Sequence, residues 1–493
     1  MDFSAQRKGR KIFWLSFLTF LVWNTSCIYW VFNSFTSAGL PVWIASFISL
    51  IPFGLGSLLM AFVFWLYYRF RRVSSKPWSY TALICLWIAY EFLHQSWDLA
   101  FPWMTLGNAF ASTHQLVQWY EFTGVYGGTL WILISNILVF ELYKSVKSSS
   151  ADKNKLIIAT SVVIASPIIC SLTIYTNYQE KLNPANVVVV QPNIDPYLKW
   201  NSPSFMQVQQ LITLSESVAQ PNTEYFIWPE TGLPDYVDEE KIRSNVNYIQ
   251  VHDFLNQYKN GNVISGISSY LLYPAPKTPT ATFKKEVGKY FDYFNSAVQI
   301  ENSSKVQFYH KSRLVPGVEK LPFPTLLTFL KPIFESFGGS SGGFGSQEEA
   351  GVFYSQSGIG VTPAICYESI WGAYIAESVK KGSQFIAIVT NDGWWGNTSG
   401  KDQHMLYAKL RAIETRRWVA RSANTGISAF INQRGDLVKS TSWWVPAAIK
   451  EDINLNEDLT FYVNNGDFIA FAGTGGAGIL LILLITGAVK RKD

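Results

Sequence analysis

A thiol, a carboxylate and an amine in one chain are enough for acyl chemistry, and Cys366, Glu230 and Lys311 supply them in suggestive settings. Cys366 closes the apolar run Ile359-Gly-Val-Thr-Pro-Ala-Ile-Cys366, which reads as a buried strand entering a turn or helix start. A helix N-terminus and a nearby cation there would lower the thiol pKa. Cys27, Cys85 and Cys170 lie in hydrophobic stretches, so Cys366 has no expected disulfide partner and is a candidate nucleophile. A nucleophile needs a base and a group that holds developing negative charge. His252, His310 and His404 form no suggestive motif with Cys366. Glu230 is better placed, in a strand end stiffened by Pro229 and Pro234. Lys311 sits in Phe308-Tyr-His-Lys311, with the carboxylate of Glu319 eight residues on. Each has a bland rival: a core cysteine, a helix-start carboxylate, a solvated lysine. Glu319 could simply pair with Lys311 or Lys320.

The elements that must position these residues divide the chain. It is 48% hydrophobic and 16% aromatic, with 19 Trp, and only 15% charged. Apolar stretches near 12–33, 42–68, 80–97, 122–143, 156–175 and 468–489 are each about 20 residues, enough to cross a bilayer. Trp and Tyr crowd their ends, as at membrane interfaces. Basic clusters precede the first stretch (Arg7-Lys-Gly-Arg-Lys11) and follow the second (Arg69-Phe-Arg-Arg72), the fourth and the last (Lys490-Arg-Lys492). The connections 34–41 and 98–121 contain no Lys or Arg. By the positive-inside rule both termini are expected in the cytoplasm and the long segment 176–467 outside. The net charge of +5 is thereby explained without nucleic acid. The first stretch is too long and too aromatic for a cleaved signal, and reads as a retained anchor. Outside the cytoplasm a lone cysteine is best explained by use.

The expected organisation is a helical membrane part over 1–175, a globular domain over 176–467 and a last span with its tail over 468–493. The middle part alternates apolar runs (186–191, 225–228, 262–267, 296–300, 360–365, 385–389, 427–431) with helical patterns at 204–219, 239–259 and 401–418. Such spacing predicts an α/β layered fold with a sheet buried on both faces and chemistry at strand ends. Arg411, Glu414, Arg416, Arg417 and Arg421 read as a charged helix face. Glu91, inside a span, reads as a hydrogen bond between helices or as a functional group. The Gly/Ser-rich stretch Gly338–Ser346, after Phe334 and Phe337, reads as a slack surface loop or as a lid with apolar tips. The scattered histidines show no metal-ligand spacing, and no cofactor is expected.

Trp228-Pro-Glu230, Tyr309-His-Lys311 with Pro316-Gly-Val-Glu319, and Ile365-Cys366-Tyr-Glu368 resemble, in order and spacing, the Glu, Lys and Cys blocks of the nitrilase (carbon–nitrogen hydrolase) superfamily. With membrane spans on both sides, the chain is similar to the apolipoprotein N-acyltransferase family of bacterial inner-membrane enzymes. Val190-Gln-Pro-Asn193, Leu198-Lys-Trp200, Asn391-Asp-Gly-Trp-Trp-Gly396, Asn424-Thr-Gly-Ile427, Trp87-Ile-Ala-Tyr-Glu91 and Phe101-Pro-Trp103 agree. The resemblance implies a nitrilase-like α-β-β-α sandwich between the fifth and last spans, facing the periplasm. It implies Glu230 as base, Lys311 as oxyanion holder and Cys366 as nucleophile, with Trp200, Glu319, Tyr367 and Glu368 around the substrate. The donor would be a phospholipid and the acceptor a diacylglyceryl-modified lipoprotein. The family has eight spans where this sequence reads as six, and Pro-Gly-Val-Glu stands where Pro-Phe-Gly-Glu is usual.

Two rival functions remain. A membrane-tethered amidase would share Glu230, Lys311 and Cys366, but a tether needs one span rather than six. A lipid- or peptide-binding transporter would need no reactive thiol and would carry more intramembrane charge than Glu91 alone. The membrane part argues for a monomer.

Overall fold

The computed structural model describes residues 3–37, 39–148, 151–327 and 343–487. The chain divides into two compact units, Met1–Asn177 with Asn465–Asp493, and Tyr178–Asn464. Phe334, Phe337 and most of the Gly/Ser-rich stretch lie outside the described residues.

The first unit is helical. Among the described residues, five helices are long and apolar enough to cross a membrane: α1 (Phe3–Ile28, from Lys8 on), α3 (Val42–Val73), α5 (Tyr120–Lys147), α6 (Lys153–Asn177) and α11 (Phe468–Ile485). The stretch expected as a span at 80–97 is α4 (Lys76–His94), a helix that misses this hydropathy. Its Lys76, Glu91 and His94 dilute an otherwise apolar sequence, and its buried face packs on α3 and α11. Glu91 is buried and fully engaged: it accepts from Trp87 Nε1 (2.9 Å), Leu106 N (2.8 Å) and Thr129 Oγ1 (2.7 Å). It thereby ties α4 to α5 and to the 3-10 stretch Leu106–Leu116. Of its two sequence readings, the hydrogen bond between helices is the one these contacts account for. Close packing continues at Gly107, where a Cβ would lie 1.9 Å from the Val125 carbonyl oxygen.

The second unit holds two sheets. In the larger, the path runs β14 (Ala447–Asn454), β1 (Pro184–Gln191), β2 (Thr223–Ile227), β4 (Asn262–Tyr273), β6 (Lys289–Glu301) and β5 (Thr282–Lys284). Off this path, β3 (Leu233–Asp238) pairs with β4 and β7 (Val306–His310) with β6. The smaller runs β13 (Leu437–Ser440), β12 (Ala429–Ile431), β11 (Val419–Ala423), β10 (Phe385–Thr390), β9 (Gly360–Ile365) and β8 (Phe353–Tyr354). β1, β2 and β4 are parallel, as are β9, β10 and β11. Every residue of β9 and β10 is buried, which is why these strands read as continuous apolar runs.

Helices α7 (Ser204–Glu216) and α8 (Val246–Leu255) cover the larger sheet, with Val208, Leu211 and Phe254 packed on Val188, Phe226 and Val263. Helices α9 (Gly372–Lys380) and α10 (Ser399–Thr415) cover the smaller, with Ile375, Ala408 and Ala412 on Ile386 and Ile388. Tyr225 and Phe385 meet edge to face between the sheets. The layers are therefore α-β-β-α, and parallel strands deliver their C-terminal ends to one side.

The charged helix face expected around residue 414 is absent. Arg411, Glu414, Arg416, Arg417 and Arg421 are all buried. Arg416 ends the helix in a left-handed conformation (φ 50°), and Arg421 lies on β11. Arg411 and Glu414 do pair (2.9 Å), but inside the protein.

Replacing Glu91 with Leu strands three buried donors. The expected loss is more than about 2 kcal/mol, read as a lowered unfolding midpoint of the purified protein in detergent. Glu91→Gln, which keeps an acceptor, is expected to lose less.

Candidate active site

Two strand ends and a hairpin build the site. After β2 the chain turns at Pro229, Glu230 and Thr231, with Thr231 left-handed (φ 50°). This turn is stitched to β4 by Trp228 N→Ile264 O (2.8 Å) and Gly266 N→Pro229 O (3.0 Å). Gly266 has no room for a side chain: a Cβ would sit 2.4 Å from Thr231 N and 2.5 Å from Glu230 Cα. The sequence put Glu230 at the end of the run 225–228, in a turn stiffened by Pro229 and Pro234; the strand stops at Ile227, and the carboxylate stands in the turn.

Lys311 directly follows β7, and its backbone N–H donates to Asn295 O on β6 (2.8 Å). Its ammonium is 1% exposed. It lies 2.7 Å from Glu319 Oε1 and 3.5 Å from Glu230 Oε1. Asn295 Nδ2 donates to both carboxylates, at 2.8 Å to Glu230 and 2.9 Å to Glu319. The second Glu319 oxygen accepts from Val315 N (2.7 Å). Burial acts to lower the Lys311 pKa, but Glu319, Glu230 and the Cys366 sulfur outweigh it and hold it above the ordinary lysine value. Lys311 is therefore a fixed cation.

Cys366 begins a short 3-10 turn, Cys366–Ile370, at the end of β9, and adopts φ 50°. That left-handed backbone is costly for a residue with a Cβ. Two groups hold it: Ser369 Oγ donates to Cys366 O (2.8 Å), and His404 Nε2 lies 3.1 Å from the same oxygen. His404 Nδ1 in turn meets Asp392 Oδ1 at 2.9 Å, and Arg421 Nη2 donates to Asp392 Oδ2 (2.6 Å). Burial acts to raise the Asp392 pKa, but Arg421 and His404 bring it below the usual carboxylate range. The thiol itself departs from expectation. Burial first, and then the Glu230 charge, push its pKa up, against Lys311 and a hydrogen bond with Thr390 that pull it down. A one-turn helix end cannot offset desolvation, so the lowered thiol pKa expected from the sequence is replaced by a raised one. The residue nonetheless keeps part of its surface accessible.

Two stretches of chain answer family models: residues 2–138 match the apolipoprotein N-acyltransferase N-terminal domain and residues 186–457 match carbon–nitrogen hydrolase. A Chlorobaculum tepidum apolipoprotein N-acyltransferase is 30% identical, covering 97% of this chain and 87% of its own. A Geobacter metallireducens relative of the same name is 27% identical, covering 99% and 89%. A Nesterenkonia amidase of the nitrilase superfamily aligns over 58% of this chain and 96% of its own, at 13% identity and a TM-score of 0.39.

The chain belongs to the apolipoprotein N-acyltransferase family. It is an acyltransferase of the carbon–nitrogen hydrolase superfamily and, with its apolar helices, a bacterial membrane protein.

Of the residues singled out from sequence, Glu230, Lys311 and Glu319 converge, and the Cys366 sulfur lies in the field of the first two. Tyr367 is buried edge-on against Trp371, with its hydroxyl in the field of Lys311. Glu368 faces inward. It accepts from Tyr309 OH (2.6 Å), Ser312 N (2.6 Å), Arg313 N (3.2 Å) and Ile365 N (2.8 Å), so it pins the Lys311 loop to the Cys366 turn. Trp200 does not cap the core: it is 56% exposed and stacks on Tyr236 at 6.1 Å. The described end of the Gly/Ser-rich stretch is tied down, through Phe344 N→Glu319 O (3.0 Å) and Gly345 N→Tyr293 O (2.7 Å).

Asn295, His404 and Lys199 were missed. The first carries no signature in an amide, and His404 meets Cys366 through its carbonyl, which no Cys–His spacing anticipates. Asp392 lies within the Asn391–Gly396 block, Arg421 stands just before Asn424–Ile427, and Lys199 lies within Leu198-Lys-Trp200, the usable signals.

Gly266→Ala is expected to displace the Glu230 turn at a cost of about 1–3 kcal/mol and to lower acyl transfer more than it lowers the unfolding midpoint. Activity and thermal unfolding of the same purified variant test this.

Proposed function

We propose that this protein transfers an acyl chain from a phospholipid to the α-amine of a diacylglyceryl-cysteine at a lipoprotein's N-terminus, through a thioester on Cys366. The observation that carries the reading is the buried Lys311 ammonium held between Glu230 and Glu319 with the Cys366 thiol in its field. Glu230 takes the thiol proton as the sulfur attacks the ester carbonyl. The tetrahedral oxyanion forms beside Lys311, whose fixed charge favours it over the neutral ester. Collapse breaks the carbon–oxygen bond, and the proton on Glu230 passes to the departing lysophospholipid alkoxide. In the second half, the neutral α-amine attacks the thioester and Glu230 accepts its proton. The amide forms, and the thiolate leaves and regains that proton. The cycle is ping-pong and needs no cofactor.

The raised thiol pKa supports a base-dependent nucleophile rather than a standing thiolate. Glu319 and Asn295 act by holding Lys311 and Glu230 in register. Tyr367 and Trp200 are the substrate contacts in this reading, and Glu368 joins the two loops. The basic clusters support a multi-pass arrangement with cytoplasmic termini and the domain over 176–467 in the periplasm. The protein would work there as a monomer.

Incubating purified protein with phospholipid is expected to add one acyl mass to Cys366, seen by intact-protein mass spectrometry, and Cys366→Ala is expected to lose it. An unmodified wild-type Cys366, or an acyl adduct that survives in Cys366→Ala, overturns the mechanism. Added diacylated lipopeptide should yield N-acylated peptide; free fatty acid alone would instead indicate a hydrolase.

Because the thiol is held protonated, alkylation of Cys366 by iodoacetamide near pH 7 depends on the base. Glu230→Gln is expected to slow it by about 10²-fold, a difference that shrinks as the pH rises and hydroxide deprotonates the thiol directly.

A further inference from the structure

One turn of this domain is built inside out. In the segment 197–200, Tyr197, Leu198 and Trp200 are exposed, whereas Lys199 is 4% exposed. Lysine is among the residues least often buried and large apolar side chains among the most, so the hydrophobic effect does not dictate this arrangement. Polar contacts do. Lys199 Nζ donates to the Thr231 carbonyl and to Thr231 Oγ1 (2.7 Å), and the Lys199 carbonyl accepts from Gln207 Nε2 on α7 (2.7 Å).

Thr231 directly follows Glu230 and holds the left-handed φ of 50°. The bonds from Lys199 therefore hold the residue next to Glu230 in its strained conformation. Gly266 of β4 packs directly against the same turn, so Lys199 and β4 both hold it.

Charge balance leads to the same residue. Glu230 and Glu319 share one buried ammonium, Lys311. Two buried carboxylates against one cation leave a negative charge uncompensated, an expensive state away from water. Lys199 is a second buried amine in the field of Glu230. Burial brings its pKa down to about 7, and Glu230 pulls the other way. Each charge thus favours the other.

We propose that Lys199 is a positioning residue for acyl transfer: it clamps the turn that carries Glu230 and anchors the exposed Trp200 beside it. The role rests on the reading of Glu230 as the base. Trp200 stacks on Tyr236, and the preceding residue, Lys199, holds Thr231 beside Glu230, so the segment joins an exposed aromatic surface to the turn that carries the base. Lys199 does not touch the reacting atoms. Its loss should leave the thiol in place and misdirect the base.

The test uses the full-length protein in detergent and follows Cys366 alkylation by iodoacetamide across pH, together with kcat and KM for acyl transfer. Lys199→Met is expected to slow alkylation at neutral pH by at least about tenfold and to move the acid limb of the profile upward. It should lower kcat more than it raises KM for phospholipid. Lys199→Arg, which keeps the donors and the charge, is expected to recover part of the rate. Thr231→Val, which removes one acceptor only, should give a smaller change in the same direction; it decides the matter if Lys199→Met does not fold. An unchanged profile in the folded variants, with only a lowered unfolding midpoint, overturns the proposal. Glu230→Gln separates the two claims. If it leaves the profile unchanged, the reading of Glu230 as base falls; if it alters the profile while Lys199→Met and Thr231→Val do not, only the role of Lys199 falls.

Discussion

A single ammonium, out of contact with water and set between two carboxylates, is the constraint around which this domain is arranged. Lys311 could not stay charged in its setting without Glu319 at 2.7 Å and Glu230 at 3.5 Å. Neither carboxylate would be tolerated there without it. The pairing holds only if three separate stretches of chain keep register: the turn after β2, the hairpin of β6 and β7, and the loop that ends at Glu319. Asn295 supplies this register by donating to both acids from the strand whose backbone accepts the Lys311 N–H. Val315 N fixes the far oxygen of Glu319. Hydrogen bonds from Asn295 and Val315 thus join the charges into one network, which favours one geometry over many.

Backbone strain is found at the same place. Cys366 and Thr231 both adopt left-handed conformations, one at the end of a strand in each sheet. For residues with a Cβ this costs about 1–2 kcal/mol each, and the surrounding contacts must over-determine it. At Cys366 the carbonyl is gripped by Ser369 and faces His404, itself backed by Asp392 and Arg421. At Thr231 the grip is Lys199, with Gly266 leaving just enough space on the opposite side. Glu368 joins the two halves by accepting from the loops that carry Lys311 and Cys366. Parallel strands bring the residues to one side of the sandwich; polar clamps under the turns aim them.

Much of this could be read before the fold was known. All seven apolar runs proposed as strands are strands, because sheets buried on both faces demand continuous apolar sequence. The convergence of Glu230, Lys311 and Glu319 was legible from short blocks in a fixed order. What escaped did so for physical reasons. Strand β11 carries Arg421, and an arginine buried against an aspartate is indistinguishable in sequence from one facing water. Strands β13 and β14 are largely exposed or half-exposed and carry no apolar run. Lys199 inverts the burial pattern of its own turn, so hydropathy points the wrong way. The thiol pKa was misjudged because a helix start can be read along the chain, whereas desolvation depends on everything packed around it.

That misjudged pKa bears on how the proposed cycle runs. A standing thiolate would be reactive toward any electrophile that reached it, with or without a correctly seated ester. Here burial and the Glu230 charge favour the protonated sulfur, and in the proposed cycle the same Glu230 receives that proton. The feature that suppresses the free nucleophile and the feature that generates it are therefore one side chain. Proton transfer becomes favourable only as negative charge moves from sulfur to the substrate oxygen beside Lys311. In this arrangement the site stabilises the transition state more than the resting thiolate, which is what acceleration requires. Once the thioester forms, sulfur carries no charge and Glu230 has passed on its proton. It is then free to accept one from the incoming amine, so a single carboxylate, correctly aimed, serves both half-reactions.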